Sequence, residues 1–99
     1  MQKKTINEIT IWDEYKGENH YNLIGEINED GDLVLDGGDI GPDVKEWWGD
    51  IDYEYWYVIK KEWKDSLLLY LLAEKFTLKN TPQGWLENKE IPFEFSSYV

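Results

Sequence analysis

The chain has no cysteine and no arginine, and a single histidine, His20. Without cysteine there is no thiol nucleophile, no disulfide and no thiolate metal site, which fits a reducing compartment. Without arginine the chain lacks the planar, bidentate donor that usually binds phosphates and carboxylates. A lone histidine cannot build a zinc site unless carboxylates complete it, so His20 is interpreted as a surface residue.

Long hydrophobic runs are also absent. The longest apolar stretch, Leu67 to Ala73, is far shorter than a membrane span. The N-terminal residues 1–8 contain no apolar stretch that could serve as a signal peptide. We therefore expect a cytoplasmic protein that does not associate with membranes.

Aromatic residues and negative charge are abundant in the 99 residues. Hydrophobic residues make up 41% and aromatics 16% of the chain, enough to build one core, and we predict a single domain over residues 1–99. The net charge is −11, and the segment Glu26 to Glu54 carries eleven acids against Lys45 alone. Because so negative a field repels nucleic acids and anionic membranes, the partners that the charge leaves open are a basic protein, a cation or none.

Alternating polar and apolar residues in the first third of the chain predict three strands joined as a meander. The first runs from about Glu8 to Tyr15, with Ile9, Ile11 and Asp13 expected on one face. The turn Lys16–Asn19, a second strand over 21–27, the turn Asn28–Asp32 and a third strand over 33–35 follow. The glycine-rich stretch 36–43 is interpreted as a turn.

The remaining elements alternate between helices and strands. Pro42 begins a short helix that ends at Trp48 before Gly49, and a strand over 53–59, bulky on both faces, is expected at the centre of the sheet. The main helix over 62–75 is expected to bury Leu67, Leu68, Leu71 and Leu72 against Trp56 or Tyr57.

Near the C-terminus, Thr81 and Pro82 begin a second short helix, and 91–95 resembles a last strand. The fold class predicted from the whole pattern is α+β, with an antiparallel sheet of four to five strands, one main helix and two short ones.

The segment Asp32 to Tyr57 reads DLVLDGGDIGPDVKEWWGDIDYEYWY. It resembles short acidic bacterial proteins of uncharacterised function, in which a strand enters a Gly-Asp-Leu/Ile-Gly turn. A short helix ending in paired aromatics and an acidic Tyr-Glu-aromatic strand then follow. The later segments at 85–86 and 91–93 are similar to that pattern too. By size and charge the chain also looks like immunity proteins that neutralise toxins. The first resemblance implies no activity, and the second implies a toxin as partner.

The spacing and placement of the carboxylates disfavour two kinds of acidic site. Asp36, Asp39 and Asp43 could bind calcium, but the spacing from Asn28 departs from an EF-hand loop, so they are interpreted as turn and helix-capping residues. A glycosidase could use Asp52 and Glu54, yet two residues on one strand face project together rather than across a cleft. We expect no enzyme activity, no metal and no cofactor.

The function predicted is a non-enzymatic acidic module that binds a basic protein, most concretely an immunity-type inhibitor of a basic bacterial toxin. The alternatives are a self-associating structural domain, which would form a homodimer, and a small hydrolase using paired carboxylates. Of Trp47 and Trp48, one is expected to be buried and the other exposed. The residues predicted to bind the partner are Asp36, Asp39, Asp43, Glu46, Trp47, Trp48, Asp50 and Asp52.

Overall fold

A computed structural model describes residues 5–98, so the N-terminal residues 1–4 considered for a leader lie outside it. Four antiparallel strands form one sheet in the order β1-β2-β3-β4, and three helices complete the α+β fold that the sequence predicts. The strands are β1 (Glu8–Lys16), β2 (Asn19–Ile27), β3 (Leu33–Ile40) and β4 (Asp52–Ile59). The helices are α1 (Pro42–Trp48), α2 (Lys61–Lys75) and α3 (Pro82–Asn88).

The described residues divide into two compact units. The sheet unit, Ile6–Asp65, contains the four strands, α1 and the start of α2, and the helical unit begins at Ser66. Leu23 and Val44 are the buried apolar residues of the sheet unit, at 6% and 0% exposure. Val44 points from α1 and Leu23 lies on β2, so the core sits where the short helix meets the sheet. The predicted single domain stays a prediction.

The predicted meander is confirmed, and local chemistry explains its turns. Gly17 has a φ of 62°, in the left-handed region that favours glycine, between β1 and β2. In the second turn, Asn28 Oδ1 accepts hydrogen bonds from the backbone N–H groups of Asp30 and Asp32, both at 3.0 Å. This arrangement is an Asx-turn, in which the asparagine side chain takes the place of a backbone hydrogen-bond acceptor.

Two expectations about β3 and β4 are wrong. The stretch from Asp36 to Ile40 continues β3 instead of forming a turn, and its glycines are accommodated in the ladder opposite β4. Strand β4 lies at an edge rather than at the centre, because β1 to β4 pair in sequence order. Its bulky residues on both faces therefore reflect surface aromatics, not two covered faces.

A β-bulge changes the predicted face assignment on β1. Ile9 lies opposite Gly25, and Trp12 opposite Leu23, with the register shifting between Thr10 and Trp12. The bulge inserts one extra residue between Thr10 and Trp12, so the residues after it point to the opposite face from the one that simple alternation predicts. Trp12 therefore shares a face with Ile9. The expected grouping of Ile9 and Ile11 with Asp13 is therefore wrong for Asp13.

Helix α1 begins at Pro42 and ends before Gly49, as predicted, with Gly49 left-handed at a φ of 80°. The N-terminus of α1 is held by hydrogen bonds with Asn19, a residue distant in the sequence. Asn19 Oδ1 accepts a hydrogen bond from the Asp43 backbone N–H at 3.0 Å, while Asn19 Nδ2 donates to Asp43 Oδ2 at 3.0 Å. Asn19 Nδ2 also donates to the Lys16 carbonyl at 3.1 Å. One buried side chain thus joins the first hairpin to α1.

Asp32 attaches the start of α2 in a similar way. It is only 4% exposed, and its Oδ1 accepts a hydrogen bond from the Lys61 N–H at 2.9 Å. Its Oδ2 pairs with Lys60 Nζ at 3.1 Å. The Lys61 N–H, helped by the Lys60 ammonium, holds the pKa of the Asp32 carboxyl below its usual value. A backbone donor at the first turn of a helix is satisfied by a carboxylate from the preceding hairpin.

The burial predicted for the leucines of α2 is not found. Leu68 is 54% exposed and Leu71 51%, Leu72 is also exposed, and Leu67 is partly exposed. The expected partners Trp56 and Tyr57 are 57% and 60% exposed. Residues 67–72 are all apolar or aromatic, so the helix has no single apolar stripe that packing on one side could cover, as the prediction assumed.

The helical unit has its own local contacts. Phe76 and Trp85 meet edge to face, with ring centroids 5.8 Å apart. Thr81 is the residue before α3, as predicted, but its side chain makes no capping hydrogen bond. The predicted strand over 91–95 is wrong, since no ladder forms there; Pro92 has no N–H to donate to one.

Candidate binding surfaces on the two sheet faces

The strand register assigns each acidic residue of the sheet to one of two faces, because directly opposed residues share a face and neighbours along a strand alternate. Thr10, Ile24, Asp36 and Trp56 lie side by side across the four strands and therefore share a face. Glu54, two residues before Trp56 on β4, lies on the same face. All carboxylates on this side are exposed. We call this side the acidic face; its acids are Glu8, Asp13, Glu26, Asp36, Asp52 and Glu54.

No lysine of the four strands lies on the acidic face, since the strand lysine, Lys16, alternates to the other side. Glu8 lies directly opposite Glu26, an arrangement of like charges that destabilises a sheet when nothing neutralises it. Asp13 is the exception that has a partner, because its Oδ1 pairs with His20 Nε2. The ring of His20 also stacks on Tyr15, with centroids 4.1 Å apart. His20 is a strand residue with a structural partner, not an isolated surface histidine.

A shallow depression of about 300 Å³ lies on the acidic face. Asp36, Asp52 and Glu54 border it together with Trp56, which is 57% exposed. Asp52 and Glu54 share this face, as the sequence predicts for residues two apart on a strand. An exposed tryptophan beside carboxylates offers a large contact area in a negative field.

The opposite side of the sheet carries α1 and a larger depression of about 520 Å³, which we call the aromatic groove. Four aromatic residues line it, together with Glu14, Lys16, Asp39 and Asp43. The aromatic residues are Trp12, Tyr21, Trp47 and Tyr55. Tryptophan and tyrosine are enriched among the few residues that dominate binding energy at interfaces, so this groove is the second candidate surface.

Gly37 allows Tyr55 to form part of the groove. The two residues are directly opposed on β3 and β4, and the Tyr55 ring lies over Gly37. A Cβ added to Gly37 would lie 2.6 Å from Tyr55 Cε1 and closer still to Cζ, well inside van der Waals contact. Only glycine therefore lets the tyrosine ring fold across the neighbouring strand.

Three groups in the groove have perturbed pKa values, and for Tyr55 burial, followed by the negative charge of Asp39, raises the pKa of the phenol. Burial raises the pKa of the Asp39 carboxyl. Partial desolvation, followed by the negative charges of Asp43 and Asp39, raises the pKa of the Tyr21 phenol. Among residues 5–98, the Asp39 side chain has neither a hydrogen bond nor an ion pair, so its negative charge is uncompensated.

The residues predicted to bind a partner are thus divided between the two faces. Asp36 and Asp52 lie on the acidic face, whereas Asp39, Asp43 and Trp47 line the aromatic groove. Trp48 stacks on Tyr53 at 4.5 Å, while Glu46 and Asp50 are exposed on α1 and in the loop after it.

The expectation that one tryptophan of the pair is buried is wrong. Trp47 is 62% exposed and Trp48 56%, because a two-turn helix has only Val44 directed into the core. The three turn aspartates considered for calcium do not converge either, since Asp36 and Asp39 are on opposite sides of β3. Within the described chain, no three acidic or histidine side chains lie close enough together to hold a metal ion.

Sequence reasoning missed Glu54 and Trp56 as members of one surface with Asp36, and missed Trp12 and Tyr55 in the groove. Alternation along each strand can be recognised in the sequence, but the pairing of β3 with β4 and the bulge in β1 cannot.

Among residues 5–98, no helix is long and apolar enough to cross a membrane. A scan against protein-family models and searches of curated proteins and of solved structures gave no match.

Proposed function

We propose that the chain is a non-enzymatic binding module whose acidic face engages a basic protein, most concretely as an immunity-type inhibitor of a basic bacterial toxin. The observation that carries this proposal is the sorting of six exposed carboxylates, and no strand lysine, onto one face of the sheet. A complementary field of this kind accelerates association by orders of magnitude and opposes wrong partners.

The distribution of charge between the two units supports the same proposal. Seventeen of the 21 acidic residues and five of the ten lysines lie between Ile6 and Asp65, which gives the sheet unit a net charge of −12. The remaining residues carry the other four acids and five lysines, a net charge of +1. Negative charge needed only for solubility has no reason to be confined to one unit.

The opposed pair Glu8 and Glu26 adds a thermodynamic argument. Like charges directly opposite in a sheet cost stability in the free protein. A basic partner that neutralises them recovers that free energy on binding, so the repulsion increases the selectivity for positively charged surfaces. Trp56, exposed beside Asp36 on the edge strand β4, supplies apolar contact on the same face.

The test is binding to, and inhibition of, a candidate basic toxin domain. We expect a one-to-one complex whose association rate falls steeply between low and physiological salt, because exposed charges are screened beyond about 8 Å at 0.15 M ionic strength. Loss of toxin activity on complex formation would support inhibition. An association rate that is indifferent to salt would contradict the electrostatic model.

Self-association is the alternative that a specific observation favours. Ile9, Ile11 and Tyr57 are 56%, 48% and 60% exposed on the side of the sheet that carries α1. Analytical ultracentrifugation of the isolated chain distinguishes the two, because a structural homodimer forms without any basic protein and survives high salt.

A further inference from the structure

We propose that the aromatic groove binds a small organic cation, an alkylguanidinium or alkylammonium group, between its aromatic rings and the carboxylates of Asp39 and Asp43. This site lies on the opposite side of the sheet from the acidic face and does not depend on the function proposed above. Its volume of about 520 Å³ falls within the usual range for small-molecule sites, roughly 300 to 1,000 Å³.

The first argument is the pairing of aromatic walls with negative charge. Trp12 and Trp47 line the groove and are 42% and 62% exposed, so their rings are available to a ligand. Organic cations are attracted to the faces of tryptophan and tyrosine rings, and the attraction strengthens as water is excluded. An apolar ligand would gain from the rings alone, but it would leave the carboxylates without a partner.

The second argument is the balance of charge inside the groove. The charged groups that line it are Glu14, Asp39, Asp43 and Lys16, a net charge of −2. Asn19 holds Asp43 in place through one carboxylate oxygen, Oδ2. Asp39 has no partner among residues 5–98 although burial raises its pKa. A cation in the groove compensates a carboxylate that the fold has partly desolvated and left unpaired.

The third argument is that the groove is built rather than incidental. Gly37 removes the side chain that would displace the Tyr55 ring, and Asn19 fixes α1 beside β2. Both features determine where aromatic rings lie relative to Asp39, and a preorganised site binds more tightly because less is lost to ordering.

The experiment is an NMR titration of the full-length ¹⁵N-labelled chain with three probes. N-acetylarginine methylamide represents a protein side chain, butylguanidinium represents a free cation, and N-acetylcitrulline methylamide is the neutral isostere of the first. We expect saturable shifts with both cations, centred on the Trp12 and Trp47 indole N–H signals, and none with the citrulline compound. Tighter binding of the arginine probe than of butylguanidinium assigns the site to a protein side chain, and equal binding assigns it to a free cation.

Two matched pairs of variants test the location. Asp39→Asn should weaken binding about tenfold, whereas Asp36→Asn, on the same strand but the opposite face, should change it less than twofold. Trp47→Ala should weaken binding to a similar degree, and Trp56→Ala should not. Both tryptophans are exposed, so these variants are expected to fold, and circular dichroism checks that they do.

Equal binding of the citrulline compound, shifts centred on the acidic face, or equal losses in Asp36→Asn and Asp39→Asn would each overturn the proposal, as would the absence of saturable shifts. Those results would leave the salt-dependent binding of a basic protein to the acidic face untouched.

Discussion

The contact between Gly37 and Tyr55 yields a prediction that can be worked out from distances. A methyl group at Gly37 would lie 2.6 Å from Tyr55 Cε1, and ordinary carbon contacts begin near about 3.5 Å. Gly37→Ala must therefore push the ring aside by about 1 Å or more. Overpacking of this kind costs about 1 to 3 kcal/mol, while replacing a strand glycine by alanine returns about 0.5 to 1 kcal/mol.

We expect a net loss of about 1 to 2 kcal/mol for Gly37→Ala, measured by urea denaturation followed by tryptophan fluorescence. In a Tyr55→Ala background the obstruction is gone, so the same change should be neutral or slightly stabilising. The coupling free energy between the two sites is then about 1 to 3 kcal/mol. Gly25→Ala is the matched control, because its added Cβ would meet Ile11 and Leu35 side chains at 3.4 and 3.5 Å, which is ordinary contact.

A loss below about 0.5 kcal/mol for Gly37→Ala, or an equal loss with and without the tyrosine ring, would refute this account of the groove. The Gly25→Ala variant also guards against a general intolerance of alanine in these strands, since both glycines lie on the side of the sheet that carries α1.

Two further predictions concern the side chains that attach the helices. Asn19→Ala removes three hydrogen bonds from a residue only 6% exposed, and should cost about 2 to 4 kcal/mol in urea denaturation, whereas Asn88→Ala, at an exposed position, should cost under about 0.5 kcal/mol. A lowered pKa at Asp32 means that its ionised form stabilises the fold above the unfolded value of 3.8, and that this contribution disappears as the pH falls through the folded pKa. Asp32→Asn should therefore lower the melting temperature at pH 7, and the difference from the unsubstituted chain should shrink as the pH falls below 3.8. A difference independent of pH would contradict the role assigned to the charge.

Local chemistry made several elements of the fold predictable. Pro42 and Gly49 bound α1 as expected, because proline suits the first helical turn and glycine adopts the left-handed conformation after the last. The hairpin turns were readable from Gly17 and Asn28 for similar reasons. These signals act over a few residues and need no knowledge of the rest of the chain.

The errors arose where distant segments decide the structure. Gly37 and Gly38 look like turn residues in isolation, yet they belong to β3, where Gly37 makes room for Tyr55 from the next strand. The acidic face could not be predicted because it depends on the register of β3 against β4 and on the bulge near Ile11. Asn19 was missed as a helix-attaching residue because its partner, Asp43, is 24 residues away.

The central claim is that the acidic face, rather than net charge alone, meets a basic partner. Two triple variants have the same net charge of −5, since each replaces three acids by lysine in a chain of charge −11. One changes Asp36, Asp52 and Glu54 on the acidic face, and the other changes Asp39, Asp43 and Glu46 around the aromatic groove and α1.

Association rates of both variants with the same basic toxin domain at physiological salt are the most direct measurement. Circular dichroism serves as the folding control. We predict that the acidic-face variant associates at least about tenfold more slowly than the groove-side variant, because charges on the far side of the sheet are screened at this ionic strength. Equal slowing of the two variants, or greater slowing of the groove-side variant, would contradict the claim.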